Sequence, residues 1–234
     1  MAGQNWAAVV AADSVLGMER YLRLPSPLLV VISGPSGVGK DAVVKRMKEL
    51  GYPFHFVVTA TSRPPRPGEV DGVDYFFLSK AEYDRLIAQD GFVEHAVVYG
   101  KHYGVPKAQI RNALASGQDV VMRVDVQGAA TLRRLIPGAV LIFLLPGSEL
   151  ELTQRLKGRD SDTPEALEKR MATLREEVTR IQEFDYVVVN RQGDLDRTVQ
   201  VVAAIITAEK CRTRQRLARL PGDDTVEVEG GGSA

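Results

Sequence analysis

The feature that most constrains the fold of this chain is a glycine-rich run between an apolar segment and an amphipathic one. Residues Gly34 to Lys40 have the spacing Gly-x-x-x-x-Gly-Lys. The wholly apolar segment Leu28 to Ile32 comes before them and predicts a strand buried on both faces. Val43, Met47 and Leu50 follow at helical spacing. A loop of this pattern between a strand and a helix is a phosphate-binding loop.

The chemistry of such a loop is carried by its backbone and its lysine. Glycines let backbone N–H groups turn towards phosphate oxygens, and the start of the following helix adds its dipole. Lys40 is expected to reach the β and γ phosphates of a nucleoside triphosphate. The residues predicted to bind that nucleotide are Gly34, Pro35, Ser36, Gly37, Val38, Gly39, Lys40 and Asp41.

Asp41 departs from the usual pattern, which has a Ser or Thr hydroxyl for Mg²⁺ at this position. Two interpretations remain open. The carboxylate is able to hold Mg²⁺, directly or through water. It also suits the first turn of a helix for purely structural reasons.

The rest of the chain predicts a parallel α/β fold. Largely apolar runs at Val120 to Val124, which includes Arg123, at Val140 to Leu145 and at Tyr186 to Val189 indicate further buried strands, and amphipathic helical stripes separate them. Buried strands joined by such helices form a parallel sheet with right-handed crossovers. The segment from Thr59 to Val105 interrupts this alternation with prolines, glycines and aromatic residues. It predicts short antiparallel strands and one helix, at about Lys80 to Gln89.

Composition disfavours several other classes of protein. Thirty basic and thirty acidic residues give a formal net charge of zero, which argues against a general binder of nucleic acid or membrane surfaces. The single cysteine, Cys211, excludes an intramolecular disulfide. The longest apolar run, Ala139 to Leu145, is far shorter than the ~18 residues that span a bilayer. The sequence therefore predicts a soluble protein.

Three motifs, taken in order, resemble those of guanylate kinases. The first runs from Thr59 to Glu69 (Thr-Ala-Thr-Ser-Arg-Pro-Pro-Arg-Pro-Gly-Glu) and continues through Asp71 to Phe76. The second is Glu94 followed by Tyr99 to Gly104, and the third is Asp125-Val-Gln-Gly. The resemblance covers about Leu28 to Lys210. The Gly-Lys-Asp loop together with Arg123-Val-Asp-Val-Gln-Gly is most similar to the organelle-targeted plant branch of the family.

The resemblance implies a three-layer P-loop kinase fold and the reaction ATP + GMP ⇌ ADP + GDP. Guanine, unlike adenine, offers N1–H and N2–H₂ donors, so carboxylates suit its pocket. By resemblance, Glu94 and Asp125 fill that role and Thr59 faces the O6 edge, while Val105 stands where a hydroxyl usually contacts the base. Arg63 and Arg66 are forks suited to phosphate. Residues implied to bind GMP are Thr59, Arg63, Arg66, Glu69, Tyr75, Glu94, Tyr103 and Asp125, with Glu69 supporting either the arginines or the base site.

The resemblance also assigns catalytic, metal and domain roles. Catalytic residues are Lys40, Arg63 and the lid arginines Arg155, Arg159 and Arg170; Asn190 is a candidate for the adenine pocket. Mg²⁺ is the implied cofactor, with Asp41 and Asp125 as its candidate ligands.

The predicted domain organisation is an extension (1–26), a kinase domain (27–220) and a disordered tail (221–234). Within the domain, 27–58, 106–151 and 176–215 form the core, 59–105 is the GMP-binding insertion and 152–175 the lid.

Three rival functions are weighed against this one. A partner-binding module of the same family typically loses parts of the phosphate loop, which this chain keeps. A kinase for AMP or UMP does not need the paired carboxylates. Nucleic-acid binding would rest on Lys210, Arg212, Arg214, Arg216 and Arg219, which would scatter around a solvated helix end. We therefore expect ATP and GMP as partners, no nucleic acid or membrane, and a monomer. The resemblance places the chain in plastids or mitochondria, and without it the expectation is cytoplasmic.

Overall fold

The computed structural model describes residues 25–98, 100–157 and 164–223. A five-stranded parallel sheet forms the centre of the fold, in the order β2-β7-β1-β8-β9. Its strands are β1 (Leu29–Ser33), β2 (His55–Phe56), β7 (Val120–Arg123), β8 (Val140–Pro146) and β9 (Tyr186–Asn190). The four strands predicted from apolar runs are confirmed, and the short edge strand β2 was not predicted. The prediction that all four are buried on both faces was wrong for β9, because it lies at the edge of the sheet with Val187 and Val189 exposed.

Helices cover both faces of this sheet. They are α1 (Lys40–Glu49), α3 (Lys107–Ala115), α4 (Val126–Leu135), α5 (Glu149–Lys157), α6 (Pro164–Thr179) and α7 (Leu195–Lys210). A 3₁₀ turn (Arg180–Glu183) connects α6 to β9. Among these residues no helix is both long and apolar enough to cross a bilayer.

The alternating side chains of β1 show how the three layers are held together. Leu29 and Val31 point into a core shared with α3 and α4, whereas Val30 and Ile32 point into a core shared with α1 and α7. All four side chains are fully buried. Because successive side chains of a strand point to opposite faces, a continuous apolar run is what a strand between two helical layers needs. This confirms the predicted three-layer α/β class.

The segment 59–106 forms a second, four-stranded sheet in the order β4-β3-β6-β5. Its strands are β3 (Thr59–Thr61), β4 (Tyr75–Phe77), β5 (Phe92–Val98) and β6 (Lys101–Pro106), and α2 (Lys80–Ala88) packs on it. The helix confirms the prediction. The prediction of antiparallel strands throughout was wrong, because β3 and β4 pair in parallel. The connection 62–74 is long enough to return the chain to the starting end of β3, which a parallel pair requires.

The chain after α7 packs back onto the core. Arg216 pairs with Glu209 at 2.8 Å and with Asp185 at 3.1 Å, and the side chain of Leu220 is buried. The prediction of a helix end carrying the arginines from Arg212 to Arg219 was wrong, since α7 ends at Lys210. Pairing with acidic groups commits Arg216 to holding this segment in place. The extension lies outside the described residues as far as residue 24, and the tail does so from residue 224.

Candidate active site

The phosphate loop lies at the carboxyl end of β1, where its backbone adopts conformations that favour glycine. Gly39 caps α1 with φ of 101°, and Gly34 has φ of 135°. A Cβ at Gly34 would lie 2.4 Å from the carbonyl oxygen of Leu144, and one at Gly39 would lie 2.5 Å from Nδ2 of Asn190. The two glycines are therefore required both by backbone angle and by space.

Lys40 lies at the first position of α1 with its side chain turned back over the loop. Its Nζ donates to the carbonyl oxygens of Gly34 and Pro35, the latter at 3.1 Å. The ammonium group is thus held at the mouth of the loop, where a bound triphosphate would offer it oxygens in place of these carbonyls.

Asn190 and Arg155 support the loop from the side of β9. Asn190 is buried; its Nδ2 donates to the carbonyl of Val38 at 2.7 Å, and its Oδ1 accepts from Thr198 at 3.0 Å. Arg155 donates to the same Val38 carbonyl at 3.0 Å and to the Asn190 carbonyl at 3.1 Å. Both side chains therefore hold the loop in this conformation, and the predicted contacts of Asn190 with adenine and of Arg155 with phosphate stay predictions.

Asp41 in the first turn of α1 forms an ion pair with Arg123, the last residue of β7. The exposed fractions differ sharply, at 9% for the Arg123 side chain and 61% for that of Asp41. Arg123 also donates to the backbone carbonyl of Asp74 at 2.7 Å and lies 4.8 Å from the ring centre of Tyr75. Burial lowers the pKa of Arg123, but the Asp41 carboxylate and Tyr75 more than offset it, so the guanidinium stays charged.

Arg63 lies in the connection directly after β3, where its side chain is buried and held by Glu69. Two hydrogen bonds of 2.6 Å join the guanidinium to the two carboxylate oxygens, and the guanidinium stacks on Tyr75 with 4.8 Å to the ring centre. These hydrogen bonds raise the pKa of Arg63 and lower that of Glu69. Glu69 also accepts from the backbone N–H of Arg66 at 2.7 Å, while the side chain of Arg66 is exposed. Of the two predicted roles of Glu69, this geometry favours support of the arginines.

Tyr75 and Tyr103 lie next to each other beside Arg63. Their ring centres are 6.2 Å apart in an edge-on arrangement. The hydroxyl of Tyr75 donates to Asp41 at 3.5 Å, which links this sheet to the phosphate loop. The structure thus brings together Arg63, Tyr75 and Tyr103, three of the four residues predicted to bind one phosphate, whereas the fourth, Arg66, has an exposed side chain.

Glu94 and Asp125 approach each other between the two sheets. Asp125 caps α4, and its Oδ1 accepts from the backbone N–H of Gly128 at 2.7 Å. A Cβ at Gly128 would lie 3.0 Å from the Glu94 carboxyl, so the glycine lets Glu94 sit against the first turn of α4. Burial, and then the negative charge of Asp125, raises the pKa of Glu94 to about 8. Without a ligand the Glu94 carboxyl therefore holds a proton at neutral pH.

This raised pKa predicts that GMP binding depends on pH. A carboxylate accepts from the N1–H and N2–H₂ donors of guanine, so binding must expel the proton of Glu94. Affinity for GMP should rise with pH up to about pH 8, approaching tenfold per pH unit below that value. The same shift makes the free protein lose stability as pH rises from about 4.5 to about 8, because the folded state holds the proton more tightly.

Calorimetric titration of GMP at several pH values between about 6.5 and 8.5 measures this effect. Proton release is read from buffers of different ionisation enthalpy. Glu94→Gln is the matched control, since it keeps the size of the side chain but cannot titrate, and the phosphate of GMP titrates equally in both proteins. Equal pH dependence in the two proteins would rule out Glu94 as the titrating group.

Thr59 and Val105 occupy neighbouring strands of the second sheet but face different surroundings. Thr59 is buried, and its Oγ1 has no hydrogen-bond partner among the residues described. A buried hydroxyl without a partner is costly, and a ligand with a polar edge would satisfy it. Val105 is fully buried in the core with Val57, Val93 and Ile110. Its side chain therefore serves packing, and the hydroxyl that it replaces is not supplied at this position.

The structure does not describe the side chains of the other two arginines predicted to lie in the lid, Arg159 and Arg170. Arg159 lies outside the described residues. Arg170 lies within α6, but its side chain is not among those described.

Glu177, which the sequence analysis did not single out, lies on α6. Burial raises its pKa to about 7, the charge of Lys40 opposes the rise and that of Asp125 adds to it. An acidic group of α6 therefore lies near the phosphate loop.

The candidate Mg²⁺ ligands suit an ion held mainly by a nucleotide. In the described part of the chain no three His, Cys, Asp or Glu side chains are clustered as a metal site. Asp41 is engaged by Arg123 and by the hydroxyl of Tyr75, and Asp125 accepts from the Gly128 N–H. Mg²⁺ bound with nucleotides typically takes one or two carboxylates and keeps its waters and phosphate ligands. These two carboxylates fit that pattern and do not form an all-protein cage.

A parallel three-layer core with a phosphate loop after its central strand, faced by an inserted sheet that carries a buried arginine, defines a P-loop kinase. Comparison with known proteins identifies the family. The guanylate kinase family model matches residues 26–209. The chain belongs to the guanylate kinase family, and its activity is the ATP-dependent phosphorylation of GMP.

Individual relatives agree with this assignment. Guanylate kinase 2, chloroplastic/mitochondrial, of Oryza sativa subsp. japonica is 51% identical over 211 residues, which cover 90% of this chain and 74% of that protein. A guanylate kinase of Caldanaerobacter subterraneus subsp. tengcongensis is 44% identical, over 79% of this chain and 89% of its own length. The crystal structure of guanylate kinase from Anaplasma phagocytophilum superposes with a TM-score of 0.66 and 28% identity, over 82% and 89% of the two chains.

Proposed function

We propose that this enzyme transfers the γ-phosphoryl group of ATP directly to the phosphate of GMP or dGMP, with Mg²⁺, through the residues described above. The phosphate loop and Lys40 hold the triphosphate, and an oxygen of the acceptor phosphate attacks the γ phosphorus in line. No covalent intermediate or general base is needed, because positioning and charge neutralisation supply most of the catalysis in such transfers. The observation that carries this proposal is the linkage of Arg63, Tyr75 and Asp41 across the gap between the inserted sheet and the loop.

The acceptor site is proposed to read the phosphate and the base separately. Arg63, Arg66, Tyr75 and Tyr103 bind the phosphate of GMP, with Glu69 orienting Arg63. Glu94 and Asp125 accept hydrogen bonds from guanine N1 and N2, and Thr59 donates to O6. None of these groups is assigned to the ribose, and we propose that dGMP is used as well.

The donor side and the lid complete the site. Gly34 to Asp41 bind ATP, Asn190 borders the adenine pocket, and Arg155, Arg159 and Arg170 contact the transferring phosphoryl group after closure. For Arg155, closure means exchanging its present carbonyl partners for phosphate. Bound Mg²⁺, held by Asp41 and Asp125 through its waters, would offset the charge of the triphosphate. Closure of 59–105 and of 152–175 excludes water, which otherwise competes as the acceptor.

We further propose that the protein acts as a monomer in plastids or mitochondria. The name of the rice relative, a chloroplastic/mitochondrial guanylate kinase, supports the compartment, and it fits the resemblance of the loop to the plant organelle branch. Imaging of the full chain fused at its carboxyl end to a fluorescent protein tests the compartment. Light scattering during size-exclusion chromatography tests the monomer.

Product analysis with a panel of acceptors tests the proposed reaction. The full chain is incubated with ATP and Mg²⁺ and either GMP, dGMP, AMP, UMP or CMP, and parallel reactions contain a chelator in place of Mg²⁺. We expect ADP to form in equal amounts with GDP or dGDP, only with the two guanine nucleotides and only with Mg²⁺. Transfer to a pyrimidine or adenine nucleotide at a comparable rate would overturn the assignment of Glu94 and Asp125 to the base.

A further inference from the structure

The eighth position of the phosphate loop poses an electrostatic problem. Asp41 places a negative charge at the start of α1, where the usual pattern has a neutral hydroxyl. A carboxylate next to bound triphosphate repels it, and a partly exposed carboxylate is not neutralised by burial. A positive charge paired with Asp41 relieves this repulsion, in addition to the charge that Mg²⁺ would bring with the nucleotide.

Arg123 supplies that charge from the end of the neighbouring strand. It ion-pairs with Asp41, and its own side chain is almost completely buried, with 9% exposed. A buried guanidinium needs a carboxylate partner, whereas the exposed carboxylate would be solvated without one. The pair therefore depends on both partners, but for different reasons: Arg123 for its stability and Asp41 for its compatibility with a nucleotide.

Arg123 also contacts the acceptor-binding insertion. Its Nη2 donates to the Asp74 carbonyl at 2.7 Å, directly before Tyr75 in the sequence. The guanidinium groups of Arg63 and Arg123 both lie over the ring of Tyr75, each 4.8 Å from the ring centre. Arg123 thus touches the phosphate loop on one side and the phosphate-binding residues of the insertion on the other.

We propose that Arg123 is a positioning residue that serves both substrate sites: it neutralises Asp41 in the phosphate loop and it holds Tyr75 where the acceptor phosphate binds. This inference rests on the proposed function. It predicts two distinct effects of removing the Arg123 side chain, one on each substrate. The affinity for ATP falls because the charge of Asp41 is no longer compensated. The affinity for GMP falls because Tyr75 and the backbone carbonyl of Asp74 lose their contacts with the guanidinium.

Steady-state kinetics of Arg123→Gln, Asp41→Ser, their double variant and Arg123→Lys test this separation. We expect Arg123→Gln to raise KM for both ATP and GMP about tenfold. Adding Asp41→Ser should restore KM for ATP and leave KM for GMP high, because the carboxylate is gone but Tyr75 is still unsupported. Arg123→Lys should spare KM for ATP and raise KM for GMP, since an ammonium keeps the charge but not the planar stack.

Arg46→Gln is the matched control, because it breaks another arginine–aspartate pair of α1, that with Asp196 at 2.6 Å, away from the site. It should change neither KM. Thermal unfolding of every variant identifies any that has lost the fold. In such a variant kcat falls, but the KM values for ATP and GMP do not change in opposite ways between variants. A KM for ATP that Asp41→Ser fails to restore would overturn the inference, as would unchanged KM values in Arg123→Gln. Absence of GMP phosphorylation by the unaltered protein would instead overturn the proposed function.

Discussion

Replacing Lys40 by alanine is expected to lower kcat for GMP phosphorylation on the order of a thousandfold or more. The ammonium group lies at the mouth of the loop, bound to the carbonyls of Gly34 and Pro35, and is the loop's own cation towards the triphosphate. Charge that builds up on the β and γ phosphates during transfer then lacks its compensation. Initial rates of ADP and GDP formation at saturating ATP and GMP measure the loss.

Lys45→Ala is the matched control for this prediction. Lys45 lies on the same helix and is exposed, so its loss should leave the rate within a factor of about two, as is usual for surface substitutions. Near-normal turnover in Lys40→Ala, with Lys45→Ala also active, would contradict the assignment of the phosphate loop.

Replacing Arg63 by alanine is expected to raise KM for GMP about 100-fold with little change in KM for ATP. Two effects combine. The acceptor phosphate loses a two-pronged cationic partner, and the Glu69 carboxylate, which then keeps only the backbone N–H of Arg66, repels that phosphate. Initial rates with GMP varied at saturating ATP give KM for GMP, and rates with ATP varied at saturating GMP give KM for ATP.

The double variant Arg63→Ala/Glu69→Ala distinguishes the two effects, because it removes the repulsion but not the lost contact. We expect it to recover part of the affinity for GMP. Arg85→Ala is the matched control, since Arg85 lies on α2 of the same insertion with an exposed side chain. A larger rise in KM for ATP than for GMP would place Arg63 on the donor side and refute the assignment.

The phosphate loop, the buried strands and α2 were all predictable from the sequence. These features are local: glycines at fixed spacing, apolar runs of strand length, and a helix whose N-cap Ser79 forms a capping box with Glu82. Each is determined by residues within a few positions of one another. The direction of β4 was not predictable in this way, because the register of Tyr75 against Thr59 depends on how the 62–74 connection crosses the sheet.

In the candidate site, too, the sequence indicated some roles and the tertiary structure was needed for others. The residue types at Arg63, Glu94 and Asp125 indicated phosphate and guanine chemistry through resemblance to a family. Arg123 was present in a quoted motif but had no assigned role. Its only signal was a charged residue directly after the apolar run Val120 to Met122. The sequence also left open what Asp41 does beside the nucleotide.

The sequence by itself determined the class of fold and the binding of a nucleotide, because a strand, a glycine loop and a helix that follow one another carry their chemistry in local backbone geometry. The reaction followed from the sequence only through the resemblance of its motifs to a family. Only the tertiary structure decided how the departures from the family pattern are accommodated. Asp41 is neutralised by Arg123, which is distant in sequence, and the side chain of Val105 is taken up by the core. Charge compensation and burial depend on which surfaces meet in the folded chain, and no local pattern specifies that.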